Sequence, residues 1–325
     1  MKSLNPHRPK LYLLAALALC GGISYFQSYL NPYYYQIIIY IGINIILASS
    51  LNIINGLAGQ FSLGHAGFMG IGAYTCVLLV MRYKMPFLLG LLCGTGLAGL
   101  LGAVIGYPSL RLRGHYFVIV TFICGIIFTL FFTNLVSITK GPMGIPGIPP
   151  ARIGAGEGWS IVFKSKIAYY YLVLLFIFLT VYVKHRLNHS RMGKVLLAIR
   201  EDEDLGKSLG MNTHAYKVGA FVISTAFAGL AGGLYAHYIR FIGPDSFTML
   251  HSFYLFVMNL IGGSGTIAGP IIGSLLLTVI DELSQLLQPA LARILFGVFL
   301  ILVILYMPKG IMGLRSLWIS QAKGE

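Results

Sequence analysis

Long apolar stretches follow one another along almost the whole of this chain, with short polar connections between them. A helix crosses the apolar core of a bilayer with about 20 residues, and there it satisfies its own backbone hydrogen bonds. The pattern therefore predicts an all-α polytopic membrane protein with about 8–10 transmembrane helices, some of them broken or re-entrant. The apolar stretches cover residues 11–30, 33–55, 62–82, 86–107, 115–137, 167–184, 217–239, 251–263, 267–288 and 290–307.

Few charged residues interrupt these stretches. Charged residues make up 10% of the 325 residues of the chain, while hydrophobic residues make up 57%. Soluble domains carry about 25% charged residues, so no separate soluble domain is expected, and residues 1–325 are predicted to form one membrane domain. The formal net charge of +14 does not indicate nucleic-acid binding, because the basic residues are spread over the loops.

The distribution of lysine and arginine predicts the orientation, since positively charged loops stay on the cytoplasmic side. The largest basic cluster surrounds the polar connection at about 184–217. We therefore expect this connection and both termini in the cytoplasm, and the loop rich in Pro and Gly at about 138–166 outside. That loop is expected either to contact an external partner at the mouth of the bundle or to serve as a connector.

The polar connection carries the most unusual local sequence. The chain has nine acidic residues, and four of them follow one another from Glu201 to Asp204. Apolar residues recur around them at roughly helical spacing, which predicts one or two short amphipathic helices. Such a segment is suited to docking on a partner, although a solvated connector would have the same composition. The apolar residues concerned are Val195, Leu196, Ile199, Leu205 and Leu209.

Glycine and polar residues interrupt two of the apolar stretches, at 55–72 and at 262–273. Backbone without helical hydrogen bonds persists at membrane depth only where it is buried in protein or lines a water-filled path, and transporters place binding sites at such interruptions. We therefore predict a translocation path here, with turns at the membrane interface as the alternative. The residues expected along the path are Asn55, Gln60, Ser62, His65, Gly262, Gly263 and Ser264.

Small residues recur at every fourth position in two other stretches, from Gly90 to Gly106 and from Ala220 to Ala236. Helices in lipid associate through the close approach that small side chains allow. Both faces are therefore predicted to be helix-packing surfaces, within the bundle or toward another subunit.

The sequence contains no Walker A, GxSxG or HExxH motif and no clustered Cys/His ligands. We therefore expect no catalysis, no bound cofactor and no metal. Ionisable residues in apolar stretches are functional candidates, but Asp281, Glu282 and Arg293 are expected to form an ion pair that closes a hairpin. The chain is then either a self-sufficient channel or secondary transporter, or it draws its energy from another subunit.

Seven pieces of the sequence, taken in order, resemble the LivM-type permeases of the branched-chain amino acid ABC importers, the LivH/LivM family. They cover most of the chain and include ASSLNIINGLAGQFSLGHAGFMGIGAYT at 48–75, RMGKVLLAIREDEDLGKSLGMN at 191–212 and GGSGTIAGPIIGS at 262–274. The others are SLRLRGHYFVIVTF at 109–122, TKGPMGI at 139–145, FAGLAGGLYAHYIRFIGPDSF at 227–247 and MPKGIMG at 307–313.

The resemblance implies a permease subunit of an ATP-driven importer in a bacterial inner membrane, with residues 1–325 forming one permease domain. The implied partners are a LivH-like permease, two ABC ATPase subunits that bind the ATP, a periplasmic substrate-binding protein and membrane lipid. The implied cargo is a branched-chain amino acid, with urea or another small amide or amino acid as the alternative. The residues implied to dock on the ATPases are Ala198, Ile199, Arg200, Glu201, Asp202, Glu203, Leu205, Leu209 and Gly210.

Overall fold

A computed structural model describes residues 32–112, 114–153 and 161–284, together with 297–298, 301, 305 and 310–312. These residues are mainly α-helical, as the succession of apolar stretches predicts. The stretch predicted at 11–30 lies outside the described residues, as do most of the stretch at 290–307 and the expected ion-pair residue Arg293.

Each predicted stretch between residues 33 and 288 corresponds to one helix, and further short helices lie between them. The described helices are α1 (Pro32–Asn52), α2 (His65–Arg82), α3 (Phe87–Ser109), α4 (His115–Asn134), α5 (Val136–Thr139), α6 (Lys166–His189), α7 (Arg191–Glu201), α8 (Glu203–Ser208), α9 (Thr213–Ile239), α10 (Met249–Gly262) and α11 (Gly269–Ser284).

Six helices of the described residues are long and apolar enough to cross a membrane. They are α1, together with the π-helix Ile53–Leu57 that continues it, and α2, α3, α4, α6 and α9.

Helix α10 has only 14 residues, fewer than the roughly 20 that a full span needs. The stretch predicted at 251–263 thus agrees with the expectation that some of the helices are broken or re-entrant. Helices α10 and α11 lie against each other and against α1. At the start of α1, the hydroxyl of Tyr33 donates a hydrogen bond to Glu282 of α11, and the ion pair predicted for Glu282 with Arg293 stays a prediction.

The small-residue faces hold the centre of the bundle together. Helix α9 packs against α1, α2 and α3, and a Cβ atom on Gly102 of α3 would collide with the side chain of Thr225 of α9. A Cβ atom on Gly232 of α9 would collide with the carbonyl oxygen of Met69 of α2. Backbones approach this closely only where side chains are missing, which confirms the packing role predicted for both faces.

In the loop at 138–166, the described residues 138–153 and 161–166 contain short strands and turns. Strand β1 (Ile145–Pro146) pairs antiparallel with β4 (Phe241–Ile242), and β2 (Arg152–Ile153) pairs antiparallel with β3 (Ile161–Val162). Two 3-10 helices, Gly141–Met143 and Pro244–Phe247, lie beside these strands. The β1–β4 pairing fixes the loop to the segment that follows α9.

Candidate functional site

The first interruption begins where α1 changes into the π-helix Ile53–Leu57. Residues 58–64 have no regular structure, and α2 begins at His65. The predicted interruption at 55–72 is therefore too long, because His65 to Gly72 are helical. The glycines of that second half serve close packing instead: a Cβ atom on Gly67 would meet the ring of Phe128.

The second interruption separates α10 from α11. Gly263 and Gly265 have positive φ angles of 107° and 83°, which glycine adopts without strain. The hydroxyl of Thr266 accepts a hydrogen bond of 2.9 Å from the backbone N–H of Gly269 and so caps the start of α11. Pro270 is the second residue of that helix, where the absence of its N–H costs no intrahelical hydrogen bond.

The two interruptions touch each other, which the sequence alone did not reveal. A Cβ atom on Gly56 would lie 2.5 Å from the backbone nitrogen of Gly265. The predicted path residues are thus brought to one region of the bundle. Asn55, Ser62, His65, Gly262 and Gly263 are buried there, while Gln60 and Ser264 are partly exposed.

A buried polar network connects α1 with α2 and α10. The hydroxyl of Ser50 lies 2.9 Å from Nε2 of His65. The side-chain amide of Asn52 donates to Oδ1 of Asn259 at 2.7 Å, and the amide of Asn259 donates to the carbonyl oxygen of Ala48 at 2.9 Å. The sequence analysis missed Asn52 and Asn259, although isolated amides within apolar stretches are a signal for such contacts.

Several buried polar atoms near this network have no hydrogen-bond partner among the described residues. Leaving such an atom unsatisfied costs about 1–3 kcal/mol, so these atoms give the region a capacity to hydrogen-bond a polar species that enters the bundle. They are Ser49 Oγ, Asn52 Oδ1, Asn55 Nδ2, Ser62 Oγ and His65 Nδ1.

The polar connection between α6 and α9 folds into two short helices, as predicted. The hydroxyl of Ser190 accepts from the N–H of Gly193 at 3.1 Å and caps α7. The carboxylate of Asp202 accepts from the N–H groups of Asp204 and Leu205 at 2.9 and 3.0 Å and caps α8. Asp202, placed among the docking residues by resemblance, therefore also ends one helix and begins the next.

The apolar residues of α7 and α8 point in two directions. Leu196 and Ile199 are buried against the bundle, so Ile199 does not lie on the outer surface where a docking residue is needed. Leu205 and Leu209 are 58% and 71% exposed. Ala198, Glu201, Asp202, Asp204 and Gly210 are also exposed, and so is Arg200, although its guanidinium reaches into the bundle.

Glu203 likewise faces the chain's own helices. Its Oε1 lies 2.9 Å from Nζ of Lys217 and 3.1 Å from Nζ of Lys207, and it accepts a hydrogen bond of 3.3 Å from the hydroxyl of Thr213. Partial burial raises the pKa of Glu203, but the two lysines outweigh that effect and hold the pKa below its ordinary value. Glu203 therefore stays ionised and links α8 to the first turns of α9.

Two basic side chains connect the interruptions to the end of the bundle at which α7 and α8 lie. Nη1 of Arg200 donates to the carbonyl oxygen of Gly56 at 2.7 Å. Nζ of Lys184, a buried residue of α6, donates to the carbonyl oxygen of Thr266 at 2.8 Å. Each interruption is thus held by one basic side chain, the first by Arg200 of α7 and the second by Lys184 near the end of α6.

Residues 33–304 match a family model described as the permease component of a branched-chain amino acid transport system. The chain belongs to this permease family. It is 35% identical over 305 residues to the high-affinity branched-chain amino acid transport system permease protein LivM of Escherichia coli (strain K12), covering 87% of this chain and 72% of the relative.

More distant relatives cover similar shares of the permease. The LivH permease protein of Escherichia coli (strain K12) is 27% identical over 289 residues, which are 82% of this chain and 90% of LivH. The probable LivM permease protein of Methanocaldococcus jannaschii is 26% identical over 325 residues, covering 85% of this chain and 92% of the relative. The comparison with solved structures finds no significant match.

Membership of the family makes the chain a permease component and a multi-pass membrane protein. In such a protein the path and the contact with other subunits are the functional sites. The two interruptions lie within the bundle, and α7 and α8 lie at one of its ends, with Arg200 connecting them.

Proposed function

We propose that this permease is a transmembrane subunit of an ATP-driven importer for branched-chain amino acids. It forms one permease domain over residues 1–325 and builds the translocation path with a LivH-like partner. Two ATPase subunits bind and hydrolyse the ATP, so the permease itself needs no cofactor and is not an enzyme. A periplasmic binding protein delivers the ligand.

One observation carries this proposal: a capped pair of helices, α7 and α8, presents exposed leucines to water in a chain of the permease family. Leu205 and Leu209 are 58% and 71% exposed. Burying apolar surface is favourable by about 25 cal/mol per Å². Contact with a partner that covers these two leucines is therefore favoured. The cytoplasmic ATPases are the partners that the family offers for this position.

The proposed docking surface consists of the outward-facing residues of α7 and α8. Acidic side chains at Glu201, Asp202 and Asp204 surround the leucines, so the complementary surface of an ATPase would be basic. Gly210 follows α8 with a φ angle of 77° and turns the chain back toward α9. The members of the surface are Ala198, Glu201, Asp202, Asp204, Leu205, Leu209 and Gly210.

The proposed path runs beside the two interruptions. Interrupted helices offer free backbone N–H and carbonyl groups to a solute, and the unsatisfied atoms of Asn55, Ser62 and His65 add side-chain hydrogen-bonding groups. A solute delivered by a binding protein needs a path with several weak contacts rather than one tight site. Gln60, Gly262, Gly263 and Ser264 complete the set that we propose to line it.

We place the permease in a bacterial inner membrane with both termini in the cytoplasm. This orientation puts α7 and α8 on the side of the ATPases, and it puts the loop at 138–166 on the side of the binding protein. The charge distribution supports it, since the largest basic cluster surrounds α7 and α8.

The experiment that tests the proposal is purification of the tagged chain from gently solubilised native membranes, followed by mass identification of the bound proteins. We expect a LivH-like permease, ATPase subunits with Walker motifs and a binding protein whose ligand is a branched-chain amino acid. A binding protein specific for urea or another small amide would change the cargo and keep the class. Recovery of the chain alone or as a homo-oligomer would contradict the proposal and favour a self-sufficient channel.

A further inference from the structure

Arg200 is the last arginine of α7, yet part of its side chain is directed into the bundle rather than toward the docking surface. Its Nη1 atom lies 2.7 Å from the carbonyl oxygen of Gly56, in a contact that joins residues 144 positions apart in the sequence. Gly56 is the penultimate residue of the π-helix Ile53–Leu57. The cytoplasmic helix and the first interruption are therefore in direct contact through one charged hydrogen bond.

Glycines form the space that Arg200 occupies. A Cβ atom on Gly265 would lie 2.7 Å from Nη1 of Arg200, and a Cβ atom on Gly59 would lie 2.9 Å from its Cγ atom. Both residues have positive φ angles, 83° and 66°. Because Gly265 belongs to the second interruption, the guanidinium lies where both interruptions meet.

The chemistry of the hydrogen bond between Arg200 and Gly56 suits a contact that persists while the two segments move. The last carbonyl groups of a helix have no partner within the helix and carry partial negative charge. A guanidinium presents several N–H donors in a fixed plane and stays charged. Arg200 thus satisfies a carbonyl group at the end of the π-helix, as a capping group does, but from a different part of the chain.

We infer that Arg200 is a positioning residue that transmits movement of α7 to the two interrupted helices. The inference rests on the proposed function, in which the ATPases move α7 and α8. When α7 moves, Arg200 moves the carbonyl end at Gly56 with it, and the neighbouring turn at Gly265 follows because the two glycines are in contact. The path then opens or closes where both interruptions meet.

The test uses the full chain co-expressed with its partner permease, the ATPases and the binding protein. Arg200→Gln removes the charge and the donor to Gly56, whereas Lys194→Gln removes a charge from another exposed residue of the same helix and serves as the matched control. For Arg200→Gln we expect wild-type recovery of the ATPases and about a tenfold or greater loss of ligand uptake. ATP hydrolysis should no longer respond to the loaded binding protein. Wild-type uptake by this variant would overturn the inference.

A second readout does not depend on the partners. Hydrogen exchange of the purified full chain should accelerate at residues 53–57 and 263–268 in Arg200→Gln and stay unchanged in Lys194→Gln, because losing an anchoring contact lowers the local free energy of opening. Unchanged exchange would show that Arg200 does not hold the interruptions. If the wild-type chain recovers no ATPase, the proposed function fails, while the exchange result still decides whether this link exists.

If Arg200→Gln does not accumulate, Arg200→Lys replaces it. Lysine keeps the charge but lacks the planar set of donors, so we expect faster exchange at the same residues and reduced uptake. Wild-type exchange and uptake in Arg200→Lys would count against the inference.

Discussion

The ammonium group of Lys217 lies 2.9 Å from the carboxylate of Glu203, and this ion pair fixes α8 to the beginning of α9. The side chain of Lys217 is 2% exposed and that of Glu203 is 19% exposed, so water screens the pair only partly. Because the pair holds Glu203 toward the bundle, Leu205 of α8 and Leu209, which follows α8, face outward. These two leucines therefore remain available to a partner.

Replacing Glu203 by alanine leaves the buried ammonium of Lys217 without its carboxylate. Breaking a fully buried pair on one side costs about 3–5 kcal/mol, and water near the partly exposed Glu203 reduces that cost, so we expect Glu203→Ala to lower the thermal stability of the detergent-solubilised chain by a smaller but measurable amount. Glu201→Ala, an exposed neighbour, is the control and should change stability little. Equal midpoints for the two variants would show that the pair does not stabilise the fold.

The same pair predicts a dependence on pH. The pKa of Glu203 is lower in the folded chain than its ordinary value, since the two lysines outweigh partial burial. A lowered pKa contributes stability above the unfolded-state value of about 4.3 that is lost as the pH falls through the folded-state value. The stability difference between wild type and Glu203→Gln should therefore be constant near neutral pH and shrink below about pH 4. A difference that grows on acidification would contradict this assignment.

The docking surface predicts how leucine substitutions act. Leu205→Asp and Leu209→Asp place a carboxylate where an apolar contact with the ATPase is proposed, so we expect about a tenfold or greater loss of co-purified ATPase. Met143→Asp, at an 85% exposed residue in the loop at the other end, is the control and should retain the ATPases. The amount of ATPase recovered per permease measures the effect. Full recovery in both leucine variants would remove α8 from the interface.

The asparagine pair predicts a non-additive result. Asn259→Leu leaves Asn52 and the carbonyl oxygen of Ala48 without the partners they have in the wild type, which costs about 1–3 kcal/mol of stability. Asn52→Leu removes the other side of the same contact. In the double variant the loss should be smaller than the sum of the single losses, because the shared contact is lost only once. Strict additivity in thermal unfolding would mean that the two amides act independently.

Glycine packing predicts opposite effects for two similar substitutions. Gly72→Ala introduces a methyl group against the carbonyl oxygen of Gly229, and overpacking costs about 1–3 kcal/mol. A Cβ atom on Gly96, a residue of α3, would meet nothing within 4 Å. Gly96→Ala should therefore be neutral or stabilise its helix by up to about 1 kcal/mol. The thermal midpoints of both variants in detergent test this, and equal midpoints would contradict it.

The sequence identified the helical elements, since each depends on local composition. The apolar stretches predicted the long helices, glycine and polar residues at 262–273 marked the second interruption, and the acidic run from Glu201 marked the segment that forms α7 and α8. The predicted boundaries of the interruptions were less accurate. The interruption predicted at 55–72 included helical residues from His65 onward, because in a sequence a glycine that permits close packing resembles a glycine that breaks a helix.

The sequence by itself therefore determined that this protein is a multi-pass helical bundle with two interrupted segments and an amphipathic polar connection, because hydropathy and helix capping act over a few neighbouring residues. Only the tertiary structure decided which residues of that connection face inward. Glu203 and Arg200 look like surface residues of an acidic and basic segment, yet one pairs with Lys217 and the other reaches Gly56. Lys217 lies 14 residues from Glu203, on the next helix, and Gly56 lies 144 residues from Arg200, so the directions of both side chains follow from how the helices pack.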